Sequence, residues 1–65
     1  MKKFLVKIRI TEDGEETERE LEVKIQGHIL YDNQYLEAAV KQYNITSNNV
    51  KLLGYRRIRK EGNYG

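Results

Sequence analysis

With 65 residues and no cysteine, the chain is one domain near the smallest size that folds without a disulfide or metal staple. Its net charge of +2 is too small to require a polyanionic partner, and no stretch approaches the roughly 20 apolar residues of a membrane span. A core this small invites a second subunit to share it, so a homodimer is an expectation.

The opening Met1-Lys2-Lys3-Phe4-Leu5-Val6 imitates a signal peptide only briefly. Lys7 and Arg9 interrupt the apolar run, and no small-residue cleavage site follows. The expectation is a cytoplasmic protein with no membrane attachment.

Residues 3–10 alternate strictly. Phe4, Val6, Ile8 and Ile10 fall on one face, and Lys3, Leu5, Lys7 and Arg9 on the other. Period two with β-branched residues predicts a half-buried strand. Residues 18–26 repeat the pattern, with Leu21, Val23 and Ile25 inward and Glu20, Glu22, Lys24 and Gln26 outward. Gly14 between them supplies the positive φ of a hairpin turn. Two registers respect both parities. An Asp13-Gly14 turn sets Lys7 opposite Glu20 and Arg9 opposite Glu18; a Gly14-Glu15 turn shifts these partners to Glu22 and Glu20. Either explains much of the charge segregation along the chain. Residues 1–10 carry four cations, residues 11–22 a net of minus six, and residues 51–60 a net of plus five.

Leu36, Ala39, Val40 and Tyr43 lie at i, i+3, i+4 and i+7, which predicts a helix over 33–43 with that stripe against the core. Asp32 is placed to cap it through its carboxylate, with Tyr31 and Leu36 spaced for a hydrophobic staple. Asn44 tolerates the left-handed conformation at the far end, letting Ile45 pack back on Val40. The Asn44-Ile45-Thr46 tripeptide is read as this helix terminator, not as a glycosylation acceptor.

Val50 to Lys60 reads as a third strand with a less regular pattern. Val50, Leu52 and Ile58 share one parity; Leu53, Tyr55, Arg57 and Arg59 share the other, and Gly54 marks where a bulge would reverse the sides. The fold class is therefore α+β: a small ββαβ domain over 1–61. Its three-stranded antiparallel sheet has the order 2-1-3, with one helix across one face and a frayed tail at 62–65.

Catalysis needs titratable groups converging on a pocket. The single histidine, His28, stands in a loop, no cysteine is available, and the acidic run from Glu12 to Glu16 lacks the ligand alternation of a calcium loop. No catalytic residue, cofactor site or metal site is expected, and the chain reads as non-enzymatic.

Two surfaces remain. Leu5, Leu53 and Tyr55 would project together from the helix-free face beside an edge strand, as a protein contact or dimer interface uses. This makes a small interaction module (a regulator, inhibitor or assembly factor) the first expectation for function. The alternative is binding of RNA or single-stranded nucleic acid. Lys7, Arg9, Arg56, Arg57, Arg59 and Lys60 would neutralise phosphates while Tyr55 stacks on bases. A solvated edge strand whose arginines deter aggregation explains the same cations without a ligand.

Overall fold

The computed structural model describes residues 2–58. The chain order is β1 (Lys2–Glu12), β2 (Glu15–Ile25), α1 (Asn33–Gln42) and β3 (Val50–Ile58). The strands form one antiparallel sheet in the order β2-β1-β3, with α1 across one face. The ββαβ architecture is the one expected from the alternation of apolar residues. Among the described residues, no helix is long and apolar enough to cross a membrane.

The hairpin is longer than its apolar pattern suggests, because both strands run to the turn itself. Asp13 and Gly14 both have positive φ, 51° and 79°, the signature of a two-residue type I′ turn. That turn selects the first of the two registers: Lys7 faces Glu20, Arg9 faces Glu18 and Val6 faces Leu21. Beyond Leu21 toward the turn, β2 lies past the reach of the 10-residue helix, and Glu15–Glu20 are exposed throughout.

The core lies between the helix and the paired β1–β2 ribbon. Phe4, Val6 and Ile8 from β1, and Leu21, Val23 and Ile25 from β2, are buried beneath Tyr35 and Ala39 of α1. Within Val50–Ile58, by contrast, no side chain is fully buried. Val50 and Leu52 only pack partly against the cluster. The helix is tied to β2, not centred on the sheet. Gln42 accepts from the Lys24 N–H through Oε1 (3.1 Å) and donates to the Lys24 carbonyl through Nε2 (2.7 Å). The Tyr43 hydroxyl donates to the Glu22 carbonyl at 2.7 Å.

Two helix expectations are corrected. Of the stripe through Leu36, Ala39, Val40 and Tyr43, only Ala39 is buried. Tyr35 and Ala39, at i and i+4, are the buried pair, Leu36 flanks them, and Tyr43 is 43% exposed. Tyrosine is ambiguous in such patterns, because its ring seeks the core while its hydroxyl seeks water.

The Asp32 carboxylate makes no capping bond either. Side-chain capping requires an extended backbone at the cap, whereas Asp32 is already helical at φ −62°, ψ −31°. Gln34 instead fixes the chain that leads into the helix: its Oε1 accepts from the backbone N–H of both Leu30 and Tyr31. Tyr31 is 56% exposed.

The far end behaves as expected. Asn44 has φ 51°, and the Ile45 N–H reaches the Val40 carbonyl at 3.0 Å, closing a Schellman-type cap. The following loop is anchored to the end of β1. Ser47 Oγ donates to the Thr11 carbonyl (3.4 Å), and the Thr11 N–H donates to the Asn49 carbonyl (2.9 Å).

Candidate interaction surface

β3 pairs with β1 in two registers joined by a bulge. On one side Lys3, Phe4, Leu5, Val6 and Lys7 face Ile58, Arg57, Arg56, Tyr55 and Gly54. On the other, Ile8, Arg9 and Ile10 face Leu52, Lys51 and Val50. Leu53 is the extra residue. Because side chains alternate with period two, one inserted residue exchanges the faces of everything beyond it.

This bulge corrects the sequence-derived surface. Tyr55 is opposite Val6 and therefore lies on the helix side, not on the helix-free face with Leu5. Arg57, opposite Phe4, follows it, and Ile58, opposite Lys3, moves to the open face. The proposed trio of Leu5, Leu53 and Tyr55 is thus not one patch. The row of Tyr55 and Arg57 beside Lys7 and Arg9 is likewise dissolved; of those basic candidates, Arg56 shares the open face with Lys7 and Arg9. Arg59 and Lys60 lie outside the described residues.

Tyr55 is the most constrained residue of β3. Its ring stacks on Tyr35, with centroids 3.8 Å apart and planes 15° from parallel, and Tyr35 meets Phe4 edge-on at 4.9 Å. Its hydroxyl donates to Asp32 Oδ1 at 2.9 Å. The carboxylate freed from capping therefore fastens the third strand to the start of the helix. Still, 43% of Tyr55 is exposed, along the outer margin of the sheet.

The hydrogen bond to Asp32 raises the Tyr55 pKa above 10.0, with desolvation and the Asp32 charge adding to it. A pKa raised in the folded state contributes stability that is complete below the unfolded value and is lost as pH rises through the folded one. Thermal stability should accordingly fall above about pH 10. Tyr55→Phe should flatten that alkaline limb while lowering stability at neutral pH, as melting curves across the alkaline range would register.

The open face is striped by charge. Glu16, Glu18, Glu20 and Glu22 run down β2, and Lys3, Lys7 and Arg9 down β1. Lys51 and Arg56 stand on β3. Glu18 accepts from Arg9 Nη2 at 3.1 Å and pairs with Lys7 at 3.7 Å. Lys3 pairs with Glu22 at 3.9 Å. Lys7 thus reaches diagonally past Glu20, its directly opposite residue, as long side chains do across a ladder. The Arg9 bond, then the Lys7 charge, hold the Glu18 carboxyl below its usual 4.5.

The ladder also assigns the free backbone groups. Along β2, the residues bonded by the helix, Glu22 and Lys24, turn their N–H and C=O groups away from β1. Alternation then turns the odd-numbered residues of β1 toward β3, in agreement with the Thr11–Asn49 bond. The outward groups of β3 are those of Val50, Leu52, Tyr55 and Arg57. Among the described residues, nothing hydrogen-bonds to them. On the helix side of this edge stand Val50, Leu52 and Tyr55, with Arg57 beyond them; on the open side stand Lys51 and Arg56, with Ile58 at the end.

No family model matches the chain, and neither a curated protein nor a solved structure matches it. The fold is a small α+β domain, and the candidate surface is the outer edge of β3, unbonded among the described residues.

Proposed function

We propose that this chain is a non-enzymatic interaction module that receives an extended segment of a partner protein along the outer edge of β3. One observation carries the reading: among the described residues, the outward backbone groups of β3 are unbonded and lie beside apolar side chains that the helix leaves half covered. Added strands use such edges, with main-chain bonds giving affinity and alternate side chains giving specificity. One histidine and no cysteine supply little for catalysis, which supports a binding role.

The nucleic-acid alternative has less support. The Tyr55 ring face is occupied by Tyr35, and Lys7 and Arg9 already pair with Glu18.

Arg57→Pro tests the reading, because it removes an outward N–H without breaking an inner ladder bond. The immobilised variant, shown to be folded by circular dichroism, should fail to capture a protein that the unaltered chain retains from its native lysate. Equal retention by both, or release of the captured material by nuclease, would refute the docking edge.

A further inference from the structure

We propose that the segment received by β3 is an acidic, amphipathic strand of another protein. It carries carboxylates on the side facing Arg56 and Lys51, and apolar residues on the side facing Leu52 and Tyr55. The inference rests on the docking role of β3 and adds the chemistry of its partner.

The hairpin of this chain is the template for that chemistry. On the open face, Lys7 and Arg9 of β1 stand opposite glutamates of β2, while Lys3 stands opposite Lys24 and reaches diagonally to Glu22, and three ion pairs result. On its other side β1 meets more cations. Arg9 is directly opposite Lys51, and Arg56 follows two positions from Gly54, the partner of Lys7. Like charges facing each other across a ladder are destabilising.

Between Lys24 and the turn, the columns across the open face therefore read acid, base, base, and among the described residues the outermost base has no acidic neighbour. Val50–Ile58 contains Lys51, Arg56 and Arg57 and no acid, and among the described residues neither Lys51 nor Arg56 makes an ion pair. A strand laid outside β3 with carboxylates at alternate positions would give these cations the neighbours that β2 gives to β1. The intervening residues of that strand would turn to the helix side. There they would extend the row of Val50 and Leu52, which are partly buried, and the exposed Tyr55.

A second copy of β3 does not fit this edge. Two-fold antiparallel pairing would bring Lys51, Arg56 and Arg57 of one copy beside those of the other with no acid in either strand, so the occupant is a different, acidic sequence.

The probes are synthetic peptides of about ten residues, a usual strand length, alternating Glu, Lys or Thr with Val. Binding is read by amide chemical shifts of the isotope-labelled chain. The Glu–Val peptide should move the amides of Val50, Leu52, Tyr55 and Arg57. It should bind at least about tenfold more tightly than the Lys–Val peptide, and the difference should shrink with added salt. The double substitution Lys51→Glu with Arg56→Glu, at two exposed positions, should invert that preference.

Equal binding of all three peptides along β3 would overturn the acidic partner and leave the docking edge standing. Shifts centred on Lys7 and Arg9, or a larger response to a single-stranded oligonucleotide than to any peptide, would overturn both. So would a peptide-free chain whose β3 amides shift with its own concentration.

Discussion

Replacing Tyr35 by alanine should cost about 3–5 kcal/mol, the usual loss for truncating a buried aromatic side chain. A chain of this size has a total stability on the order of 3–10 kcal/mol. The variant should therefore be substantially unfolded at physiological temperature, as urea titration followed by circular dichroism would reveal. The reason is position. Tyr35 is 7% exposed and touches two strands at once, Phe4 edge-on and Tyr55 face-on. No other helix residue links β1 to β3 through aromatic contacts. Tyr35→Phe should leave the denaturation midpoint nearly unchanged, since the Tyr35 hydroxyl makes no hydrogen bond among the described residues. A phenylalanine variant as unstable as the alanine one would refute this account of the core.

Replacing Tyr55 by alanine should remove both the stack on Tyr35 and the bond to Asp32. An aromatic pair contributes about 0.5–1.5 kcal/mol beyond its buried area, and in a domain this small 1 kcal/mol moves Tm by about 4–8 °C. A fall in Tm of about 5–10 °C is expected, read by thermal melts followed by circular dichroism. Deleting Leu53 should spare both contacts. With the extra residue gone, Leu52 opposite Ile8 is followed directly by Gly54 opposite Lys7 and Tyr55 opposite Val6, the pairs already present on either side of the bulge. The Tyr35–Tyr55 cross-peaks in a nuclear Overhauser spectrum should therefore survive that deletion. Their loss would refute Leu53 as the inserted residue.

The contrast between these two sites shows what periodicity can reveal. The buried face of β1 is legible, because Phe4, Val6 and Ile8 repeat without interruption and are buried as a row, while its run on to Glu12 beside the turn is not. The sheet order followed from short connections and the span of one helix. The hairpin register was readable only to two alternatives, since both preserve the parity of Leu21 and Val23; positive φ at Asp13 as well as Gly14 is what separates them. The helix bounds were legible but its buried face was rotated, because Tyr35 and Tyr43 carry the same pattern value and opposite fates. At β3 the pattern carried the warning but not the answer. Gly54 flagged a bulge, yet parity cannot say which neighbour is the extra residue, and that choice decides whether Tyr55 belongs to the core or to the surface. The role of Asp32 was hidden for a related reason. Its partner is Tyr55, 23 positions away, and nothing local announces it.

The two margins of the sheet are finished differently, and this limits what can be built from the molecule. At β2, Gln42 and Tyr43 occupy the outward groups of Lys24 and Glu22, and the remainder of that margin bristles with Glu16, Glu18 and Glu20. A strand arriving there meets a stopper at one end and a row of like-signed carboxylates if it is itself acidic. Under the docking role proposed above, the β3 margin is the one that suits such a strand, and the domain would offer an acidic ligand one edge. Recruitment would then give a one-to-one complex instead of a growing fibre.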